Sequence, residues 1–303
     1  MQAITLAPPT QRLSRELIES RVKACAPLPS LSRVNSSLRG LLSMEENYTA
    51  RISEVIRRDP SLSSRILQMV NSVYFALSTP IQNIEEAVLY LGMEQIRRLA
   101  LITPIVEDFQ KLARDVPFTW REFWQHCIGT AILTREIVGP IQRFEDEADY
   151  VAGLVHDVGK IVMASVFPNH FVEIHQCYRE VVQDLKEVET FVLGMDHTEL
   201  GAIYLLSHRV PEIFVEAARF HHCPEHAGTN RVVVAAVQIA DLCLRYRKIG
   251  ASGDAGEVTL EQCFNASGWK ILFPIAGQKE LPMAQARLQR LLEGLPATLE
   301  GMV

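Results

Sequence analysis

Residues 152–160 read AGLVHDVGK, and the fold of the chain turns on how this stretch is read. Val151, Leu154 and Val155 recur at helical spacing and lead directly into His156 and Asp157, with Gly159 close behind. An apolar helical face that ends on an imidazole and a carboxylate carries two ligand-type side chains to the end of a buried helix. Adjacent residues point about 100° apart around a helix. His156 and Asp157 therefore reach one ion only if it sits between their directions. Lys160, a few residues on, offers an ammonium to a phosphate or a partner to a site carboxylate.

Working outward, similar side chains recur in order. Glu122 and His126 are four apart, which sets them on one helix face a turn apart. Asp196 and Glu199 form a D-x-x-E pattern ahead of Leu200, Ile203 and Tyr204, the pattern of a capping box, so His197 falls in the first turn of a helix. His221 and His222 end a further helix, and Asp241 lies on the next apolar stretch. Imidazoles and carboxylates are the ligands of first-row transition metals in mixed nitrogen and oxygen sites. An HD or HH dipeptide alone says little, and a lone buried histidine is ordinarily a satisfied core residue. The joint order says more, because five of the nine histidines fall into it with acids alongside. His170, His175, His208 and His226 read as ordinary structural or surface residues, and Cys223, next to His222, as a bystander thiol.

The remainder reads as helix almost throughout. Ile52, Val55 and Ile56 make one stripe, and Asp59-Pro60 suits the start of a helix whose core side is Leu62, Ile66, Leu67 and Val70. Glu85 and Glu86 occupy the first turn of another, with Ala87, Val88 and Leu91 as its buried face and Gly92 as its cap. The β-branched run RVVVAAVQIA (231–240) fits a strand, but Val233, Val237, Ala240 and Leu244 also make a helical face, and the helical surroundings favour helix. Residues 251–256 read as a small, glycine-rich surface loop, and Leu281, Ala284, Leu288, Leu291, Leu292 and Leu295 as an amphipathic closing helix. No histidine occurs in residues 28–112. The expected division is an N-terminal extension (1–27), a helical lobe for packing or docking (28–112), a metal-pocket lobe (113–250) and a C-terminal helical extension (251–303).

Composition narrows the function classes. Hydrophobic residues make up 48% and charged residues 22%, the balance of a globular protein. A net charge of -6 argues against a nonspecific nucleic-acid surface, which would be basic. No apolar run approaches the roughly 18 residues needed to span a bilayer. The N-terminus lacks the basic-then-apolar order of a signal peptide. Six scattered cysteines with no C-x-x-C pair suit reduced thiols in a cytoplasm.

The order His126, His156-Asp157, Asp241 resembles the signature of the HD superfamily of metal-dependent phosphohydrolases. Glu122, Lys160, His197, His221 and His222 resemble the extended set of the HD-GYP phosphodiesterases, in which a bridged metal centre activates water. Other segments are similar to the HDOD family, the HD-related output domain. They are LPSL (28–31), RRDPSLSSRILQMVNSVYF (57–75), IQNIEEAVLYLG (81–92), FW-x-H (123–126), AGLVHDVGK, DHTELGA (196–202) and the HH pair. That likeness spans roughly residues 28–248. It implies an all-α, multi-helix HD-like bundle with an N-terminal helical lobe, acting in bacterial signalling through protein contacts without established hydrolase activity. A metal-dependent phosphodiesterase or phosphatase is the alternative. Against it, the loop after His222 lacks the Gly-Tyr-Pro that helps HD-GYP enzymes bind substrate. The expected cofactor is a divalent transition metal, iron or manganese by preference, since nitrogen and oxygen ligands without thiolate do not single out zinc. His126, His156, Asp157 and Asp241 are its primary ligands, and Glu122, His197, His221 and His222 complete a second position. Signalling proteins are the expected partners, with a nucleotide or phosphate as a further ligand.

Overall fold

The computed structural model describes residues 11–26, 67, 81–91, 108, 116–142, 144, 147–178, 184–254, 256–274 and 279–299. Every regular element among them is a helix, as the periodicity requires. Most of the expected N-terminal lobe, including Ile52, Val55, Ile56, Leu62, Ile66, Val70 and the Gly92 cap, lies outside the described residues; Leu67 is helical and half-buried.

Helix α1 (Arg15–Lys23) starts where the Ser14 side chain accepts from the Leu17 N–H, and it buries Ile18 and Val22. Helix α2 (Ile84–Leu91) buries Ala87 and Val88, as its stripe indicates. Helix α3 (Trp120–Val138) is the central rod, burying Phe123, Trp124, Cys127, Ile128, Ala131 and Leu133. It packs against α4 (Ala148–Val155) on one side and α10 (Arg231–Arg247) on another. After α4 come α5 (Val158–Val166), α6 (Pro168–Tyr178), α7 (Leu185–Val192), α8 (His197–Ser207) and α9 (Glu212–Phe220). A 3-10 turn (Pro224–His226) then leads into α10. The ambiguous run 231–240 is thus helix, burying Val233, Val234, Val237 and Ile239 on nearly all sides. A helix buried all round carries no polar face to betray its period, and this is why the run imitates a strand.

The last helices are α11 (Leu260–Asn265), α12 (Ser267–Leu272) and α13 (Leu281–Leu299). Helix α13 sets Leu288, Leu292, Leu295 and Leu299 into the same apolar core as α3 and α10. The loop after α10 is less superficial than its composition suggests. Ser252 is buried, and Gly250, with φ of 66°, lies so close to α3 that a Cβ there would stand 2.4 Å from the His126 nitrogen. Glycine is the residue that permits both the left-handed backbone and the approach. Arg245 and Tyr178 hold Asp254 across this loop, the guanidinium at 2.6 Å.

All six cysteines are free thiols. Among the described residues, no helix is long and apolar enough to cross a membrane.

Candidate metal centre

The His-Asp pair does not sit on a single helix. His156 is the residue at which α4 ends, and Asp157, with φ -96° and ψ 16°, opens α5. This two-residue break lets two consecutive side chains face one interior, which continuous helical geometry would oppose. Asp157 is 1% exposed and His156 1%. From α3, His126 enters the same space, and from α10 comes Asp241, whose Oδ1 stands 3.0 Å from His126 Nε2. One nitrogen each from His126 and His156 and an oxygen from Asp157 all lie within 4.8 Å of one another.

A second group adjoins the first. His197 opens α8, where Asp196 caps the helix by accepting from the Thr198 and Glu199 N–H groups. The reciprocal arm of a capping box is not made, because the Glu199 carboxylate pairs with Arg15 of α1 at 3.0 Å instead. His221 closes α9, and His222 follows it. His197, His221 and His222 bring one nitrogen each within the same 4.8 Å. Asp157 joins the two groups: its Oδ2 is 3.5 Å from His156 Nε2, while its Oδ1 is 3.5 Å from His197 Nε2 and 3.7 Å from His221 Nε2.

The histidines are oriented from behind. His156 Nδ1 donates to the Gly153 carbonyl at 2.8 Å, and His221 Nδ1 to the carbonyls of Ala217 and Ala218 at 3.1 Å. His197 Nδ1 meets Glu189 Oε2 at 2.6 Å, and the same oxygen accepts the His197 backbone N–H at 2.9 Å. With the proton held on Nδ1, the Nε2 lone pair points inward, the arrangement that metal-binding histidines use. Nε2 of His156 and His221 and Oδ1 of Asp157 are buried without a hydrogen-bond partner, while His126 Nε2 meets only the Asp241 carboxylate. Leaving three such atoms unpaired together in a buried site is costly. A cation among them resolves that cost, so these residues fit a divalent metal.

The electrostatics agree. Burial, then the neighbouring His156, brings the His221 pKa down to about 3. Burial likewise depresses His156 and His222. These rings are therefore neutral near neutral pH, the state in which an imidazole can accept a metal. Burial opposes ionisation of Asp157, but Lys160 and the surrounding imidazoles outweigh it and hold the carboxyl well below its usual range. Asp241 behaves alike, through His126 and Arg245. For His197, burial is outweighed by the Glu189 carboxylate, and its pKa rises.

Seven of the eight expected ligands thus converge: His126, His156, Asp157, Asp241, His197, His221 and His222. Glu122 does not. It sits in the first turn of α3, exposed, and only its backbone carbonyl is engaged, by the Ala251 N–H at 2.9 Å. Four-residue spacing puts it one turn before His126, at the start of the helix, where its side chain is exposed while Phe123 and Trp124 of the same turn are buried. Lys160 is buried and pairs with Asp157 Oδ2 at 2.6 Å. His170, His175, His208 and His226 stay out of both groups.

Three site residues escape a reading by motif. Glu189 shares the buried face of α7 with Leu185, Val188 and Val192; a carboxylate on an apolar stripe is the signal that marks it. Arg245 stands behind Asp241 at 3.9 Å. Gln238 donates to the His222 carbonyl at 3.1 Å and accepts the Gly268 N–H at 2.8 Å, tying α12 to the double-histidine turn.

Comparison with known proteins follows the same lines. The HDOD domain profile matches residues 28–224. Over 96% of this chain and 99% of the other, the fold superposes with a TM-score of 0.77 and 20% identity on an HDOD domain protein of unknown function from Geobacter sulfurreducens. A protein from Shewanella amazonensis, provisionally described as a phosphohydrolase, superposes with a TM-score of 0.66 and 20% identity over 94% of this chain and 98% of that one. One from Marinobacter aquaeolei, provisionally described as a signal transduction protein, does so at 0.68 and 20% identity over 99% of this chain and 63% of that one. The chain spans less than half the length of the curated relatives it matches, 43% of one and 17% of another.

Proposed function

The chain belongs to the HDOD family, and from that premise we propose that it is a signal-transduction output module that keeps an HD-type metal pocket without hydrolysing phosphodiesters. It acts in the bacterial cytoplasm through contacts with signalling proteins. The metal is iron or manganese, held by His126, His156, Asp157 and Asp241 in a first position. His197, His221 and His222 form a second, with Asp157 between them. When bound, such a metal supplies Lewis acidity and, in a hydrolase, a water nucleophile.

The observation that carries the non-hydrolytic reading is enclosure. His126, His156, Asp157, His197, His221 and Asp241 are each no more than 3% exposed. Hydrolysis needs a phosphodiester held in line over the metal, with donors aimed at its developing charge. The loop where a substrate-binding segment would stand is instead folded down. Pro224 and Ala227 are buried, Glu216 accepts the Asn230 N–H at 3.0 Å, and Glu225 accepts from Ser267 of α12. A closed pocket of this kind uses its metal as a brace between α3, α4, α5, α8, α9 and α10, so that occupancy shapes the surface offered to a partner.

A phosphohydrolase is the second reading, favoured by a ligand set richer than a brace requires. The deciding experiment is elemental analysis followed by a metal-supplemented assay with cyclic di-GMP and a generic phosphodiester. Bound metal without turnover is the expected result. Multiple turnover that disappears in His156→Ala would overturn the proposal in favour of the hydrolase.

A further inference from the structure

The two oxygens of Asp157 have different surroundings. Oδ1 faces His197 and His221 and accepts no hydrogen bond. Oδ2 faces His156 and carries the Lys160 ammonium at 2.6 Å. Lys160 is itself 3% exposed. A buried ammonium is stable only against an anion, and here that anion is also a metal ligand.

We infer that Lys160 is a built-in counter-cation of the pocket, seated on the Asp157 oxygen that a metal in the first position would take, so that ammonium and metal compete for one carboxylate. The inference rests on the metal-pocket reading above. Distances carry it. A metal on Oδ2 would lie about 2.0–2.2 Å from that oxygen. With Nζ at 2.6 Å from the same atom, metal and ammonium would stand within about 5 Å of each other, where like charges in a poorly screened interior repel strongly. Lys160 therefore does two opposite things. In the metal-free protein it neutralises Asp157 and keeps the α4–α5 junction folded. Against an incoming ion it lowers affinity, because the ammonium must yield Oδ2. The second position, reached through Oδ1, is free of that competition.

An ordinary structural lysine and a lysine that helps orient Asp157 for metal both predict something else. Replacing either would leave metal affinity unchanged or weaken it, whereas removing a competitor strengthens it. The test uses the full chain, stripped with a chelator and titrated at one fixed pH with Mn2+ and with Co2+, whose absorption spectrum reports coordination. Wild type is compared with Lys160→Met and with Lys160→Gln. The glutamine variant keeps an N–H for Oδ2 without the charge, and gives the reading if the methionine variant folds poorly. Both variants should melt lower than wild type when metal-free, bind the first equivalent about tenfold tighter or more, and gain more in melting temperature on metal addition. Equal or weaker binding by a folded variant would overturn the inference while leaving the pocket in place. A wild-type protein that takes up neither ion would instead remove the pocket reading on which the inference stands.

Discussion

Glu189 shows most clearly how a single side chain sets the character of this pocket. One of its oxygens accepts both the ring and the backbone N–H of His197, which fixes the imidazole and enriches its inward nitrogen. A carboxylate behind a ligating histidine raises its basicity, and loss of such a partner commonly costs 10- to 100-fold in metal affinity. Glu189→Gln keeps an acceptor but removes the charge, so Co2+ affinity should fall by about tenfold; Glu189→Ala, which also frees the ring, should lose more. Affinity unchanged in both would mean that His197 needs no orientation from α7. Asp157→Ala is the severe case. It removes the carboxylate shared by both groups and leaves Lys160 buried without its partner, so metal per chain should fall to near zero by elemental analysis.

The helices place these residues through their ends. Asp157 begins α5 and His197 begins α8; His156 ends α4 and His221 ends α9. Capping thereby becomes part of the site. Asp196 accepts two N–H groups at the start of α8, and Asp196→Ala should cost about 0.5–2 kcal/mol by urea denaturation. Asp196→Asn, which keeps the acceptor, should cost much less. The crossing of α5 and α8 depends on Gly159, where a Cβ would stand 1.8 Å from the His197 carbonyl oxygen. That atom is backbone and cannot step aside, so Gly159→Ala should cost at least the roughly 1–3 kcal/mol of an overpacked core and displace His197 with it. A folded Gly159→Ala protein with normal metal content would show that the crossing tolerates more room than its geometry allows.

Across the whole molecule, metal and fold should be linked. An ion that binds only the native chain stabilises it by about 2.7 kcal/mol at a hundred times its dissociation constant. For a chain of this size that amounts to a rise in melting temperature of about 4 °C. Calorimetry before and after chelation should record that rise in wild type and its absence in His156→Ala. At the far end, Leu292 of α13 is 3% exposed in the shared core, and Leu292→Ala should cost about 2–5 kcal/mol. A negligible change would mean that the closing helix is not part of the cooperative unit.

By itself the sequence determined the all-helical class, because apolar residues recur at helical spacing and breaks fall at Asp-Pro and Gly. It also determined the ligand candidates, because imidazoles and carboxylates in that order have few other uses. Only the tertiary structure decided which of them meet. Convergence depends on where helices end and cross, and neither is written in a local period. Glu122 has the right spacing and the wrong turn of its helix. Glu189 has no motif at all, yet it stands behind His197 because α7 packs its apolar face inward. The fate of Lys160 was equally open to the chain's chemistry. An ammonium in this pocket suits a phosphate as well as a carboxylate, and burial of both groups at the head of α5 closed it on Asp157 Oδ2.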